Sequence, residues 1–338
     1  MQMFGIIIEN AYIKSMKIVA IILAAGKGTR LKSKITKPLH NLGGRPMLAW
    51  SLDAAIAAKA SRTITVLPPQ SKQIQDWLDG RDFCIQEKPL GTGHAVLAAA
   101  PQLADFDGVA LIMFADTPLV TSDTLTRLVS SIEKSKSIAV LGFEASNPHG
   151  YGRLITDSNG HLLRIVEDKD ANDNEKRINL VNGGVMAVRC PLLFDLMKRV
   201  QPNSKTGEVY LTDIIAIANQ NDQTVTIQIA DESEIAGVND RADLAHLEAI
   251  LQHRLRHAAM QQGATLIAPD TVFLSADTIL GRDVIIEPHV VIGSKTNIGE
   301  GSIIKSFSYV EGATIGAGCV IGPYARLRSG TEAGDGVK

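Results

Sequence analysis

Cysteine is scarce in this chain. Only Cys84, Cys190 and Cys319 occur among 338 residues, far apart and without a CxxC pair. An odd, sparse set argues for a reducing compartment and against a disulfide framework or a zinc site. Aromatic residues make up 4%, too few for the base-stacking platforms of single-strand nucleic-acid binders. Net charge is nearly absent: 34 Lys and Arg against 36 Asp and Glu leave −2. That excludes a strongly basic nucleic-acid binder, though not a local basic pocket. No apolar run approaches the roughly 18 residues of a membrane span. The opening run Phe4-Gly5-Ile6-Ile7-Ile8, closed by Glu9 and Asn10, is too short for a signal sequence. The expected setting is cytoplasmic, with neither nucleic acid nor membrane as partner.

What is present is a folded composition, 45% hydrophobic and 21% charged, long enough for two domains at roughly 150 residues each. Residues 1–15 read as an extension, because Met16 immediately precedes the first convincing strand. Short β-branched runs then alternate with amphipathic stretches. The expected strands are Lys17–Leu23, Thr63–Leu67, Val109–Phe114, Ser137–Phe143 and Val185–Val188. Helices are expected at Met47–Lys59, Gly93–Ala99, Ser122–Lys134 and Leu192–Val200. Such alternation predicts an α/β fold with a mostly parallel sheet, whose ligands bind at the carboxyl ends of the strands. Arg241–Gln262 follows as a helix with Leu244, Leu247, Leu251 and Leu255 at steps of three and four, stopped by Gly263. It reads as a connecting arm.

Beyond it the period changes to six. Leu280, Ile286, Ile292, Ile298, Ile304 and Val310 recur in phase, and after a one-residue slip Ile315, Ile321 and Leu327 continue. Small or β-branched residues, such as Val284, Val290 and Ser302, stand two positions before them. This hexapeptide repeat predicts a parallel β-helix, in which stacked coils bury what one coil cannot. The chain reaches Lys338 without an obvious cap, which reads as a repeat cut short. The expected division is thus 1–15, an α/β domain over 16–240, a linker helix over 241–263 and a partial repeat domain over 264–338.

The loop Ala24-Ala25-Gly26-Lys27-Gly28-Thr29-Arg30 directly follows the first strand. Small residues let backbone N–H groups approach phosphate oxygens, and Lys27 and Arg30 add positive charge. With Leu23 before it and Thr36-Lys37-Pro38-Leu39 after, the loop resembles the signature of the sugar-nucleotide pyrophosphorylases. Further blocks follow in order. They are Gln86 with Gly91-Thr92-Gly93-His94-Ala95, Phe114-Ala115-Asp116-Thr117-Pro118, Gly150-Tyr151-Gly152-Arg153, Val166-Glu167-Asp168-Lys169-Asp170-Ala171, Val181-Asn182-Gly183-Gly184, Gly207-Glu208-Val209-Tyr210-Leu211-Thr212-Asp213 and Gly237-Val238-Asn239-Asp240-Arg241. Singly each is weak. As an ordered set, followed by a helix and hexapeptides, they resemble the bacterial bifunctional enzymes that make UDP-N-acetylglucosamine.

The resemblance implies a Rossmann-like nucleotidyltransferase domain and a reaction between UTP and N-acetylglucosamine 1-phosphate. The nucleophile is already an anion, so positioning and charge neutralisation suffice without a general base. By resemblance, Arg30 and Lys37 clamp the phosphates, and Asp116 with Asn239 holds Mg2+. Leu23, Ala24, Ala25, Gly26, Gln86, Gly91 and Thr92 take the uridine side. Phe114 and Ala115 flank the metal residue, and Gly152, Glu167 and Asn182 take the sugar. Gln86 can offer a donor and an acceptor to a uracil edge. Without the resemblance, Asp116 would read as a turn or cap residue and Glu167 as part of a solvated charge run. Three positions depart from the family pattern. Phe114 stands where Tyr is commoner and loses a hydroxyl. Ala115 stands where Gly is commoner, adding a methyl near the expected phosphate, and Gly183 stands where Thr is commoner. In the family the repeat domain is a left-handed β-helix that trimerises and transfers an acetyl group. Here Arg328 matches its first sugar-nucleotide contact, and His289 matches no catalytic position and reads as a surface-coil histidine. The expectation is a homotrimer weakened by truncation and unable to acetylate. A sister nucleotidyltransferase with another sugar or nucleotide, a hexapeptide acyltransferase and a non-catalytic subunit stand as alternatives.

Overall fold

The computed structural model describes residues 16–132 and 136–338. The expected extension at 1–15 and the end of the expected helix Ser122–Lys134 lie outside these. The described residues form two compact units: residues 16–39 with Met47–Asn239, and His40–Pro46 with Asp240–Lys338. None of the helices among the described residues is long and apolar enough to cross a membrane.

The first unit is built on nine strands: β1 (Ile18–Leu23), β2 (Arg62–Leu67), β3 (Phe83–Ile85), β4 (Val109–Phe114), β5 (Lys136–Glu144), β6 (Arg153–Thr156), β7 (Leu162–Val166), β8 (Leu180–Arg189) and β9 (Thr224–Ile229). Their order is β9-β5-β8-β4-β1-β2-β3, with β6 paired to β8 and β7 to β6. Six of the seven strands in that order share one direction, and β8 alone runs against them. The sheet is therefore mostly parallel, as expected.

β1 is buried along its whole length because the sheet is covered on both faces. Ile18, Ala20 and Ile22 join one core with Leu48, Leu52, Leu125 and Leu128. Val19, Ile21 and Leu23 join the other with Ala95, Val96, Leu193 and Ile214. The helices of these two layers are α1 (Met47–Ala57), α2 (Lys72–Leu78), α3 (Thr92–Ala98), α4 (Ser122–Ser130), α5 (Cys190–Met197) and α6 (Ile214–Asn219).

Several boundaries differ from expectation, two of them for physical reasons. α1 stops before Lys59, which adopts φ 69, while Ala60 N–H closes on the Ala55 carbonyl. This left-handed cap lacks the usual glycine, so the sequence hides it. β8 extends five residues further towards the N-terminus than expected. Its register shifts between Asn182 and Met186, and the bulge carries Gly183 and Gly184 inside the strand. In sequence those glycines mimic a turn.

In the second unit, three four-stranded parallel sheets form the sides of a β-helix. Phe273 pairs with Val291 and Val291 with Tyr309, eighteen residues per coil. The one-residue slip is a shortened turn: Asn297 pairs with Thr314 and Ile303 with Val320, seventeen apart. The period-six residues Ile286, Ile292, Ile298, Ile304, Val310 and Ile315 fill the interior.

The expected arm is a docked helix, α7 (Arg241–Gln261, after the short helical turn Glu232–Ile235). Buried Gln252 accepts from Leu274 N–H at 2.9 Å and donates to the Leu274 carbonyl at 2.7 Å. Arg256 donates to the Val272 carbonyl at 3.3 Å, and Ala259 enters the repeat core. The helix thus satisfies the backbone edge of the first coil, which would otherwise be open to strand pairing.

The inward residues hold this unit together. Ile304→Ala is expected to cost about 2–5 kcal/mol, while Thr314→Ala on the exposed side stays within about 0.5 kcal/mol. Denaturant midpoints of the two variants measure the contrast, and equal shifts would contradict the inward assignment.

Candidate active site

Because β1, β2, β3 and β4 run parallel, their carboxyl ends gather on one edge of the sheet. Loops leaving that edge enclose a cleft of about 440 Å³. Leu23, Ala25, Gly26 and Lys27 line it from the loop after β1, and Gln86, Pro89, Gly91, Thr92 and Ala95 from the stretch after β3. Phe114 at the end of β4, Asp116 just after it and Glu208 complete the lining. Of the expected ligand contacts, Ala24 and Ala115 are instead buried in the core. Ala24 N–H is spent on the Val66 carbonyl and Ala115 N–H on the Leu23 carbonyl. The Ala115 methyl therefore lies in packing.

The charged rim is built from segments far apart in sequence. Lys37, on the short turn Lys37–Leu39, forms an ion pair with Asp116; their side chains are 11% and 32% exposed. Gly28 makes room for it, with φ 60 and a position where an added Cβ would meet Lys37 Cβ at 2.6 Å. Arg30 donates to Asn239 Oδ1 at 2.9 Å. Val238 N–H donates to the Asp116 carbonyl at 2.8 Å, tying the two loops together. Asp116 is not a helix cap, since Thr121 caps α4.

Gln86 is buried and its amide nitrogen is already engaged. It donates to the Gly91 carbonyl at 3.0 Å and lies 3.3 Å from His94 Nδ1. The expected donor to a base edge is thus used internally, and Oε1 is left as an acceptor. Gly91 has φ 95, and an added Cβ would meet the Val209 carbonyl oxygen at 2.6 Å. Leu90 and Gly93 pair with Val209 through the backbone, and Thr92 Oγ1 accepts from Leu211 N–H at 3.0 Å.

Gly152, Glu167 and Asn182 form a separate cluster. Asn182 N–H donates to the Gly152 carbonyl at 2.7 Å, and Glu167 Oε2 lies 3.7 Å from where a Gly152 Cβ would stand. Asn182 Oδ1 accepts from Gly184 N–H at 3.0 Å. Gly184 in turn sits against Phe114, whose ring would be 3.2 Å from an added Cβ. At Gly183 a Cβ would meet Ile235 at 2.9 Å and the Leu141 carbonyl at 3.0 Å, so a larger residue here needs its neighbours to shift.

Burial holds the Glu167 carboxyl above its ordinary pKa, partly offset by a hydrogen bond from Thr212 Oγ1 at 3.0 Å. The run Glu167–Asp170 is not a solvated face. Asp168 pairs with Arg153 at 2.9 Å, Lys169 with Glu208 at 3.0 Å and Asp170 with Lys205 at 3.3 Å. Thr212 and Glu208 were not singled out from sequence, although both lie in the Gly207–Asp213 block. Arg328 lies exposed beside the Arg326–Leu327 strand of the second unit. His289 is exposed in a turn of the repeat, as expected. Burial pushes the thiols of Cys84 and Cys190 up to about 11, which leaves them poor nucleophiles.

Among the described residues no cluster of three or more His, Cys, Asp or Glu could hold a metal ion alone. The pair Asp116 and Asn239 nonetheless supplies one carboxylate and one amide oxygen on a common rim. Such hard donors fit a hard divalent cation that takes its other ligands from phosphate and water.

The MobA-like NTP transferase domain family matches residues 20–173, and the bacterial transferase hexapeptide family matches 277–312 and 295–329. The bifunctional protein GlmU of Zymomonas mobilis is 43% identical over 94% of this chain and 72% of its own length. That of Xanthobacter autotrophicus is 45% identical over 92% and 70%. A solved UDP-glucose pyrophosphorylase in complex with UDP-glucose covers 71% of this chain and all of its own, with TM-score 0.59 and 16% identity, a likeness of fold. With these relatives and this fold, the chain belongs to the GlmU family of bifunctional proteins, and it is a sugar-1-phosphate uridylyltransferase that produces UDP-N-acetylglucosamine.

Proposed function

We propose that the cleft binds UTP along the loop after β1 and that N-acetylglucosamine 1-phosphate docks on Gly152, Glu167 and Asn182. A phosphate oxygen of the sugar phosphate attacks the α-phosphorus of UTP. The bond from that phosphorus to the bridging oxygen breaks, and pyrophosphate leaves with the electron pair. Both reactants are anions, so their mutual repulsion is the main obstacle, and fixed positive charge is the remedy. The observation that carries this reading is the rim itself, where Lys37–Asp116 and Arg30–Asn239 pairs stand over a glycine-rich loop.

In this reading Lys37 and Arg30 are the catalytic cations, touching the polyphosphate. Leu23, Ala25 and Gly26 let the backbone approach it. Asp116 and Asn239 would hold Mg2+, which when bound supplies further neutralisation of phosphate charge. Gln86 Oε1 accepts from the uracil N3–H. Cytosine carries a lone pair at that position and is repelled, which supports the choice of UTP over CTP. Asn182 keeps its amide N–H groups for an acetamido carbonyl, and Glu167 accepts from a sugar hydroxyl. Residues 16–240 would form the catalytic domain, 241–263 a linking helix and 264–338 a β-helix through which three copies associate in the cytoplasm.

Pyrophosphate release from UTP and N-acetylglucosamine 1-phosphate tests the whole. Lys37→Ala is expected to lower kcat about 10²–10³-fold, the size typical for a lost charge-stabilising donor. Asp116→Ala is expected to lose a similar factor and to require more Mg2+ for half activity. EDTA abolishes turnover and added Mg2+ restores it. Undiminished rates in both variants would refute the phosphate and metal assignments. Gly91→Ala, which drives a Cβ into the Val209 carbonyl, is expected to raise KM for UTP more than about tenfold while leaving KM for the sugar phosphate nearly unchanged. Steady-state kinetics with each substrate varied in turn separates the two.

A further inference from the structure

Thr212 is buried in the short turn Leu211–Asp213, and its hydroxyl donates to Glu167 Oε1 at 3.0 Å. That bond uses one carboxylate oxygen. The other, Oε2, faces the Gly152 backbone, 3.7 Å from the vacant Cβ position, and has no hydrogen-bond partner among the described residues. The residues preceding Thr212 serve the nucleotide side. Val209 N–H donates to the Leu90 carbonyl at 2.7 Å, its own carbonyl accepts from Gly93 N–H at 2.8 Å, and Leu211 N–H donates to Thr92 Oγ1. One five-residue stretch, Glu208–Thr212, therefore holds the loop assigned to uridine at one end and the carboxylate assigned to the sugar at the other.

We propose that Thr212 is a positioning residue for sugar recognition: it locks Glu167 in one rotamer, occupies Oε1, and reserves Oε2 for a sugar hydroxyl. This rests on the assignment of Glu167 to the sugar site. A carboxylate accepts a hydroxyl best when ionised. Burial opposes ionisation of Glu167, as do the nearby charges of Asp213 and Asp170, while Lys169 and the Thr212 hydroxyl favour it. Thr212 thus fixes the direction of the acceptor and favours its ionised form. Because the turn it sits on continues into the Thr92 contact, the sugar carboxylate is held relative to the nucleotide loop.

The test uses the full chain and measures KM and kcat for each substrate across pH. Thr212→Val, nearly isosteric but without the donor, is expected to raise KM for N-acetylglucosamine 1-phosphate about tenfold, the usual size for a lost hydrogen bond to a charged group. KM for UTP should stay within about twofold, because backbone groups rather than this hydroxyl hold the nucleotide loop. Removing the donor raises the Glu167 pKa further, so the acid limb of kcat/KM for the sugar phosphate moves to higher pH. Thr212→Ser restores both the KM and the limb. Thr212→Ala provides the same comparison should the Val variant misfold. Unchanged sugar KM and pH limb in Thr212→Val would overturn the proposal. So would a Ser variant that behaves like Val, because the methyl rather than the hydroxyl would then matter. Glu167→Gln is the separating control. If it raises the sugar KM while Thr212→Val does not, only the role of Thr212 falls; if it leaves the sugar KM unchanged, the sugar-site assignment itself fails.

Discussion

Lys37 and Asp116 meet where the carboxyl ends of β1 and β4 lie side by side, and the charged rim of the first unit is organised around that contact. A site for two polyanions must concentrate positive charge, yet an array of cations with no ligand would repel itself. The pairing of Lys37 with Asp116 and of Arg30 with Asn239 resolves this, because each cation rests on a side-chain oxygen. The Val238–Asp116 backbone bond makes the two pairs one rim. Gly28 belongs to the same constraint, since any side chain there would displace Lys37.

The sheet supplies the second half of the site through an irregularity. β8 runs against its neighbours and bulges at Gly183 and Gly184. The bulge places Asn182 beside Gly152 and lets Gly184 lie flat against Phe114, a residue that lines the cleft. Side chains at both positions of this bulge would crowd Ile235, the Leu141 carbonyl and the Phe114 ring. Backbone irregularity here is what brings the Gly152, Glu167 and Asn182 cluster towards the cleft, which fits the general placement of bulges beside active sites.

The β-helix solves a different problem, that of turning a chain three times per coil. Its corners require left-handed backbone. One column of corners uses Asp283, Gly301 and Gly318, and another Lys295, Gly312 and Gly330. The third uses His289, Phe307 and Tyr324, aromatic rings at φ 61, 61 and 58. Such residues rarely adopt this conformation. Here their rings stack at 5.1 and 5.3 Å between centroids, within the range of favourable aromatic pairs. The stacking offsets the backbone cost and aligns successive coils.

Period and burial were legible in the sequence because they are local. Each side of a coil needs one inward aliphatic residue, so the six-residue repeat appeared directly, down to the slip that became a shortened turn. β1 and β4 were legible as continuous apolar runs, because both faces of the sheet are covered. The ordered blocks, with the glycine-rich loop among them, announced the family. What the sequence could not decide was partnership. Asp116 resembled a turn residue and Glu167 a solvated charge until Lys37, 79 positions away, and Thr212, 45 positions away, came into contact. Residues 241–262 read as a connecting arm, and only the fold sets Gln252 and Arg256 against the first coil of the repeat. Ala115 looked like an intrusion until its side chain turned into the core. Periodicity belongs to a segment and is written in it, whereas an ion pair, a bulge or a docked helix is fixed only when distant segments share one packed space.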